Sequence, residues 1–312
     1  MNIVFMGTPD FAVPCLKALA DSGENIPAVF TQPDKPKGRG YKMIPTPVKK
    51  TALEYGIPVY QPVSLRKGDD AAESLDILKK INPDLIIVVA YGQILPESIL
   101  EIPRFGCINI HASLLPAYRG AAPIQWCILN GETKTGVTSM YMEKGLDTGD
   151  MLIKAETDIG ENETASELHD RLSVLGAEIL LETVDAVKKG TLSPVRQNDE
   201  LSCYSPMITK DMCHIDFSDT ARNIHNKIRG ITGFSMLGGK RLKIFRSEIA
   251  KDKKSDMPCG TVIDSEKFTV VCGDGLCINL LEVQAEGGKR LKTSDYLRGN
   301  KLSDGIRFDE NK

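Results

Sequence analysis

Leu85-Ile86-Ile87-Val88-Val89-Ala90 and Cys107-Ile108-Asn109-Ile110-His111 are the stretches on which the fold turns. The first is short, β-branched and apolar at every position, so it has no solvated face. That is the pattern of a central strand covered on both sides of a parallel sheet. The second alternates. Successive strand side chains point to opposite faces, so Asn109 and His111 share one face while Ile108 and Ile110 share the other. Outward from these, apolar runs at 2–6, 28–31 and 59–61 alternate with helical spacing at 11–21, 46–55 and 71–81. Further strands are expected at 137–142 and 151–157, then a long helix from 164 to 189. Strands and helices in alternation predict an α/β domain over 1–189, a Rossmann-like parallel sheet covered by helices.

The texture then changes. Residues 190–206 are rich in Gly, Ser, Pro, Gln, Asn and Asp without periodicity and read as an exposed linker. Residues 207–312 hold short strand patterns at 214–217, 241–245, 260–263, 268–272 and 277–283, with one helix at 219–228. Gly238-Gly239 and Asp274-Gly275 are hairpin turn signals. Such a set predicts a small β-barrel of the oligonucleotide/oligosaccharide-binding (OB) type as a C-terminal domain.

With 312 residues, 41% of them hydrophobic and 26% charged, the chain has material for two packed cores and is not a disordered polymer. The longest apolar stretch, 85–91, is far short of the ~20 residues that span a bilayer. The N-terminus has no basic segment followed by a cleavable apolar one, so a cytoplasmic protein is expected. The eight cysteines form no Cys-x-x-Cys pair, which predicts free thiols and no metal. The net charge of −3 hides an asymmetry: residues 1–206 carry 20 basic and 27 acidic side chains, residues 207–312 carry 19 and 15. From Lys35 to Lys50 there are six basic residues and no acidic one; from Arg222 to Arg246 there are seven and none. A charged run is commonly just a solvated face, but two of them in an acidic chain point to a phosphate backbone as partner.

Met6-Gly7-Thr8-Pro9-Asp10-Phe11 follows the first strand but lacks Gly-x-Gly-x-x-Gly, and Pro9 removes an N–H that a pyrophosphate would need. A nicotinamide enzyme is not indicated. Asn109 and His111 end a strand of the α/β sheet, where such sheets place their sites. An amide beside an imidazole can donate hydrogen bonds to a developing oxyanion. Gly145-Leu146-Asp147-Thr148-Gly149-Asp150 offers a carboxylate in a glycine-bounded loop, able to orient His111 and relay a proton. Each has a plainer reading: a capping Asn, a satisfied core His, an Asp in a turn. No Gly-x-Ser-x-Gly elbow is present, so Ser113 is not a hydrolase nucleophile.

Asn109-Ile110-His111-Ala112-Ser113-Leu114-Leu115-Pro116-Ala117-Tyr118-Arg119-Gly120-Ala121-Ala122-Pro123, with Asp147 thirty-six residues past the histidine, resembles the signature of the 10-formyltetrahydrofolate-dependent formyltransferases. Met6-Gly7-Thr8-Pro9-Asp10-Phe11-Ala12, the basic loop Asp34-Lys35-Pro36-Lys37-Gly38-Arg39-Gly40-Tyr41-Lys42, Asn82-Pro83-Asp84-Leu85, Gly273-Asp274-Gly275 and Gly287-Gly288-Lys289-Arg290 are similar to the branch that formylates methionine carried on initiator tRNA. One departure is Thr232-Gly233-Phe234-Ser235, where that branch has a Pro-Trp-Pro-like segment.

The resemblance implies transfer of a formyl group from 10-formyltetrahydrofolate to the α-amine of initiator methionyl-tRNA, with no metal. Asn109 and His111 would stabilise the oxyanion and Asp147 would hold His111. Val89, Ala90, Tyr91 and Gly92, with Ser113, Leu114, Leu115 and Pro116, would wall the folate. Lys35, Lys37, Arg39 and Lys42 in the basic loop, and Arg241 and Lys243 on the barrel, would contact the tRNA. A monomer is expected.

Overall fold

The structure, a computed structural model, describes residues 1–37 and 42–309. They form two compact units. The first comprises Met1–Gly120, Thr135–Thr157 and His169–Ser205; the second comprises Ala121–Lys134, Asp158–Leu168 and the chain from Pro206 onward.

The first unit is built on a seven-stranded sheet in the order Met151–Asp158, Lys134–Tyr141, Cys107–His111, Leu85–Val89, Ile3–Gly7, Val29–Phe30, Val59–Tyr60. The last five run parallel. Ile3–Gly7 and Leu85–Val89 are buried at every position, as strands covered on both faces must be. Lys134–Tyr141 pairs antiparallel with Cys107–His111, so the expected parallel sheet carries an antiparallel margin. From Ile3–Gly7 the chain builds outward through Val29–Phe30 and Val59–Tyr60, then crosses back to Leu85–Val89 on the other side. That reversal is a topological switch point, and the crevice beyond the carboxyl ends of its strands is where open α/β sheets bind ligands. Gly7 and Val89 face each other at its floor. A Cβ on Gly7 would lie 2.8 Å from the Phe5 ring and 3.0 Å from the Val89 carbonyl, so this turn has room only for glycine.

Helix Asp69–Ile81 covers one face, with Leu78 packed among Val4, Met6, Ile86 and Val88. Asp69 and Asp70 lie in its first turn, Lys79 and Lys80 in its last, each complementing the helix dipole. The expected helix at 11–21 forms as a 3-10 turn, Asp10–Ala12, leading into Val13–Asp21.

Residues 190–206 are not a solvated tether. Val195 exchanges backbone hydrogen bonds with Met151, Tyr204–Ser205 pairs in parallel with Arg119–Gly120, and Gln197 and Ser205 are buried. Most of the segment's polar residues are still exposed, but Gln197 and Ser205 turn inward and donate to backbone carbonyls of the first unit.

In the second unit the strands run in the order Gly233–Leu237, Lys240–Lys254, Leu276–Ala285, Thr269–Val271, Val262–Asp264, with Leu291–Lys292 also on Leu276–Ala285. The ends of this path are joined by the last described residues. The Phe308 N–H donates to the Gly260 carbonyl, and the Asp309 N–H to the Met236 carbonyl. Ile215, Phe217, Ile224, Ile228, Phe268, Ile278 and Phe308 fill the interior. Gly238-Gly239 and Asp274-Gly275 turn the chain between strands as their composition predicts. The strand expected at 214–217 does not form beyond a bridge from His214 to Phe234. Ile215 and Phe217 alternate inward like strand residues, but the Asp216 carboxylate accepts from the Ser218 N–H and folds the chain into a turn. The helix lies at Ala221–Ile231, capped by Thr220, whose hydroxyl accepts from the Asn223 N–H.

Candidate active site

His111 is the last residue of its strand and is 6% exposed. Its Nε2 lies 2.9 Å from the Tyr118 carbonyl oxygen. A carbonyl only accepts, so Nε2 carries the hydrogen and Nδ1 is turned to Asp147, whose Oδ2 is 3.7 Å away. Asp147 is fixed independently of the histidine: its Oδ2 accepts from the Gly120 N–H at 2.8 Å. The residue sits in the left-handed region at φ +53°, which a short acidic side chain tolerates better than most. The flanking glycines are required by space. A Cβ on Gly149 would fall 1.9 Å from the Tyr141 carbonyl, and one on Gly145 would fall 2.1 Å from the Thr148 hydroxyl.

Asn109 shares the strand face with His111 and is half-buried, and no hydrogen bond among the described residues engages its amide. An unengaged amide beside an anchored imidazole–carboxylate pair is a donor available to a bound molecule. The structure thus brings Asn109, His111 and Asp147 to one end of the sheet. Two further residues hold backbone outside the common regions nearby, Ala90 at φ +46° and Tyr118 at φ +61°, a clustering common where a scaffold shapes a site.

The expected folate wall is divided by the structure. Ala90 and Gly92 are exposed at the switch-point crevice, while Val89 is buried in the sheet. Tyr91 presents only backbone there: its carbonyl accepts from the Thr8 hydroxyl at 2.8 Å, and its ring is packed in the core with Leu78, Leu95 and Ile99. Among the described residues its hydroxyl has no hydrogen-bond partner, and burial pushes its pKa up. Ser113 is buried, its hydroxyl donating to the Ala117 carbonyl at 2.6 Å. Leu115 packs with Met140 and Met151, leaving Leu114 and Pro116 as the half-buried members of that run. Leu115 also accepts, at its carbonyl, from the Lys154 ammonium, whose pKa burial lowers.

Arg39 lies outside the described residues. Lys35–Lys37 and Lys42–Ile44 pair as an antiparallel ribbon, and Lys35 is exposed. Arg241 and Lys243 are exposed and alternate with buried Leu242 and Ile244, so they share the outer face of the second unit's sheet. The Arg241 guanidinium stacks 3.6 Å from the centroid of Phe234, inside the departing Thr232–Ser235 segment. The sequence reading misses Gln197, Tyr118 and Gly120, which hold the Asp147 and His111 groups. Their contributions are backbone contacts or contacts to backbone, which leave no periodicity to read.

Residues 1–184 match the formyl transferase family and residues 207–301 match the formyl transferase C-terminal domain. The methionyl-tRNA formyltransferase of Geobacter metallireducens is 50% identical over 99% of this chain and 98% of its own. That of Alkaliphilus oremlandii is 50% identical over 98% of each. Among solved structures, the N-formyltransferase of Helicobacter canadensis, in complex with folinic acid and dTDP-3-aminofucose, superposes with a TM-score of 0.67 over 90% of this chain and 98% of that one. At 22% identity that likeness speaks for the fold alone. The chain belongs to the formyl transferase family, in the branch whose members are named methionyl-tRNA formyltransferase.

Proposed function

We propose that this enzyme transfers the formyl group of 10-formyltetrahydrofolate to the α-amine of methionine on initiator tRNA, and that Asn109, His111 and Asp147 carry the reaction. The observation that carries the reading is full-length likeness to methionyl-tRNA formyltransferases in a chain whose sheet end gathers an unengaged amide, an imidazole and a carboxylate. Bound folate supplies an activated formyl carbon on N10, and the net change moves the formyl to the amine and one proton from the amine to N10. The residues fit such a donor: Ala90 and Gly92 offer exposed backbone at the switch-point crevice, and Leu114 and Pro116 offer apolar surface beside His111.

Asn109 donates to the formyl oxygen as negative charge develops there, a contact worth about 3–4 kcal/mol when it is preorganised. Because the His111 Nε2–H is held by Tyr118, only Nδ1 can serve the reacting groups. It takes the proton leaving the amine, and the Asp147 carboxylate stabilises the imidazolium that results. The 3.7 Å separation leaves Nδ1 open to a bound amine or to water. Lys35, Lys37, Arg39 and Lys42 grip the acceptor end of the tRNA, and Arg241 and Lys243 contact its phosphates. The enzyme works in the cytoplasm as a monomer.

The test is incubation with labelled 10-formyltetrahydrofolate and three acceptors: charged initiator tRNA, charged elongator methionine tRNA and an amino-sugar nucleotide. Label should enter the initiator species preferentially. Label on the sugar nucleotide alone would overturn the reading.

A further inference from the structure

Gln197 is 6% exposed, and every polar group of its amide is engaged. Its Nε2 donates to the Asp147 carbonyl at 2.8 Å and to the Gly149 carbonyl at 2.7 Å. Its Oε1 accepts from Arg119 Nε at 2.9 Å. Arg119 is further tied to Asp199 at 2.8 Å, and it directly follows Tyr118, whose carbonyl accepts from His111 Nε2. A single side chain therefore ties the loop that presents Asp147 to the segment that anchors His111.

We infer that Gln197 is a positioning residue for the catalytic pair. It holds the Asp147 backbone in its left-handed conformation and, through Arg119, keeps the Tyr118 carbonyl on the imidazole. The inference rests on the reading of Asp147 and His111 as the proton-handling pair. Its chemistry is specific to an amide. Two N–H donors and one carbonyl acceptor match two backbone carbonyls and a guanidinium, so glutamate repels the carbonyls and methionine offers nothing to either side. Asp147 has the Gly120 N–H on its carboxylate but needs its main chain pinned as well, because a non-glycine residue at φ +53° relaxes when released. A shift of about 1 Å at a reacting group costs as much as a hundredfold in rate.

The test uses the full-length enzyme with saturating series of both substrates. Gln197→Met should lower kcat by about ten- to a hundredfold while the KM for charged tRNA and for the folate each stay within about twofold. Gln197→Glu keeps an acceptor for Arg119 but loses both donors to the loop, so it should fall at least as far; it also serves if the methionine variant fails to fold. Combined with Asp147→Asn, either substitution should add clearly less than its own full loss, because part of its effect runs through Asp147. Backbone exchange at Gly120, whose N–H rests on Asp147, should quicken in the Gln197 variants, a readout independent of turnover. Wild-type kcat in Gln197→Glu, a loss confined to KM, losses that multiply with Asp147→Asn, or unchanged Gly120 exchange would each overturn the inference. Absence of formyl transfer by the wild-type enzyme, with Gly120 exchange still quickened, would instead bring down the functional reading and leave the positioning role standing.

Discussion

His111 has one nitrogen committed to a backbone carbonyl and the other facing a carboxylate, and this division decides what each neighbouring residue can do. The pair Asn109 and His111 was legible because strand alternation alone puts them on one face at a strand's end. Asp147 was legible as a carboxylate in a glycine-bounded loop, and the space around Gly145 and Gly149 shows why those glycines are there. Gln197 was not legible: its partners are main-chain carbonyls and a side chain seventy-eight positions away. At this scale, Asp147→Asn should keep the fold, since an amide oxygen can still accept from the Gly120 N–H. In the proposed mechanism it removes the charge that would stabilise the imidazolium, so turnover should drop by two orders of magnitude or more with an unchanged circular dichroism spectrum. Turnover within about twofold of wild type would make Asp147 a turn residue only.

The elements that declared themselves were those whose burial imposes one pattern. Leu85–Val89 is apolar throughout because both faces are covered, and the glycine turns at 238–239 and 274–275 need backbone that only glycine adopts easily. Gly233–Leu237 was hidden, since its short alternation opens on a glycine and buries a serine. The long helix Ala165–Lys189 begins at a reciprocal cap. The Thr164 N–H donates to Glu167 Oε2 at 2.9 Å, and the Glu167 N–H donates to the Thr164 hydroxyl at 3.3 Å. The Thr164 N–H first, and the Arg246 guanidinium beside it second, hold the Glu167 carboxyl down to about 2 from an ordinary 4.5. A depressed carboxylate contributes stability that is complete above its unfolded value and is lost as pH falls through the folded one. The melting-temperature gap between wild type and Glu167→Gln should therefore be largest above pH 4.5 and close between pH 4.5 and about 2. Thermal melts across that range check it; a gap independent of pH would assign the cap to its neutral hydrogen bonds. Because the side chain is half exposed, solvent and salt screening keep the effect modest.

Two textures of sequence correspond to two compact units that divide at 205/206, close to where composition changes, yet the second unit also draws two segments from the first 206 residues. Ala121–Lys134 and Asp158–Leu168 pack with the chain from Pro206 onward, and nothing in a linear reading signals a discontinuous unit. The Trp126 indole donates to the Pro206 carbonyl, and Gly230 lies so close to Ile128 that an added Cβ would sit 3.3 Å from its side chain. Removing residues 207–312 uncovers Ile128 and its buried neighbours Ile124 and Cys127. That loss is on the order of 5 kcal/mol, comparable to the whole stability of a domain. A 1–206 fragment should accordingly aggregate or melt well below the full chain in a thermal scan, and a fragment as stable as the full chain would refute this packing account. The measurement that bears most directly on the central claim is single-turnover formylation by enzyme preassembled with charged initiator tRNA and labelled 10-formyltetrahydrofolate, wild type beside Asn109→Ala. The account predicts formyl-methionine on the tRNA with the wild type, and a rate ~10²–10³ lower in the variant with tRNA and folate binding retained. Equal rates in the two enzymes would contradict it.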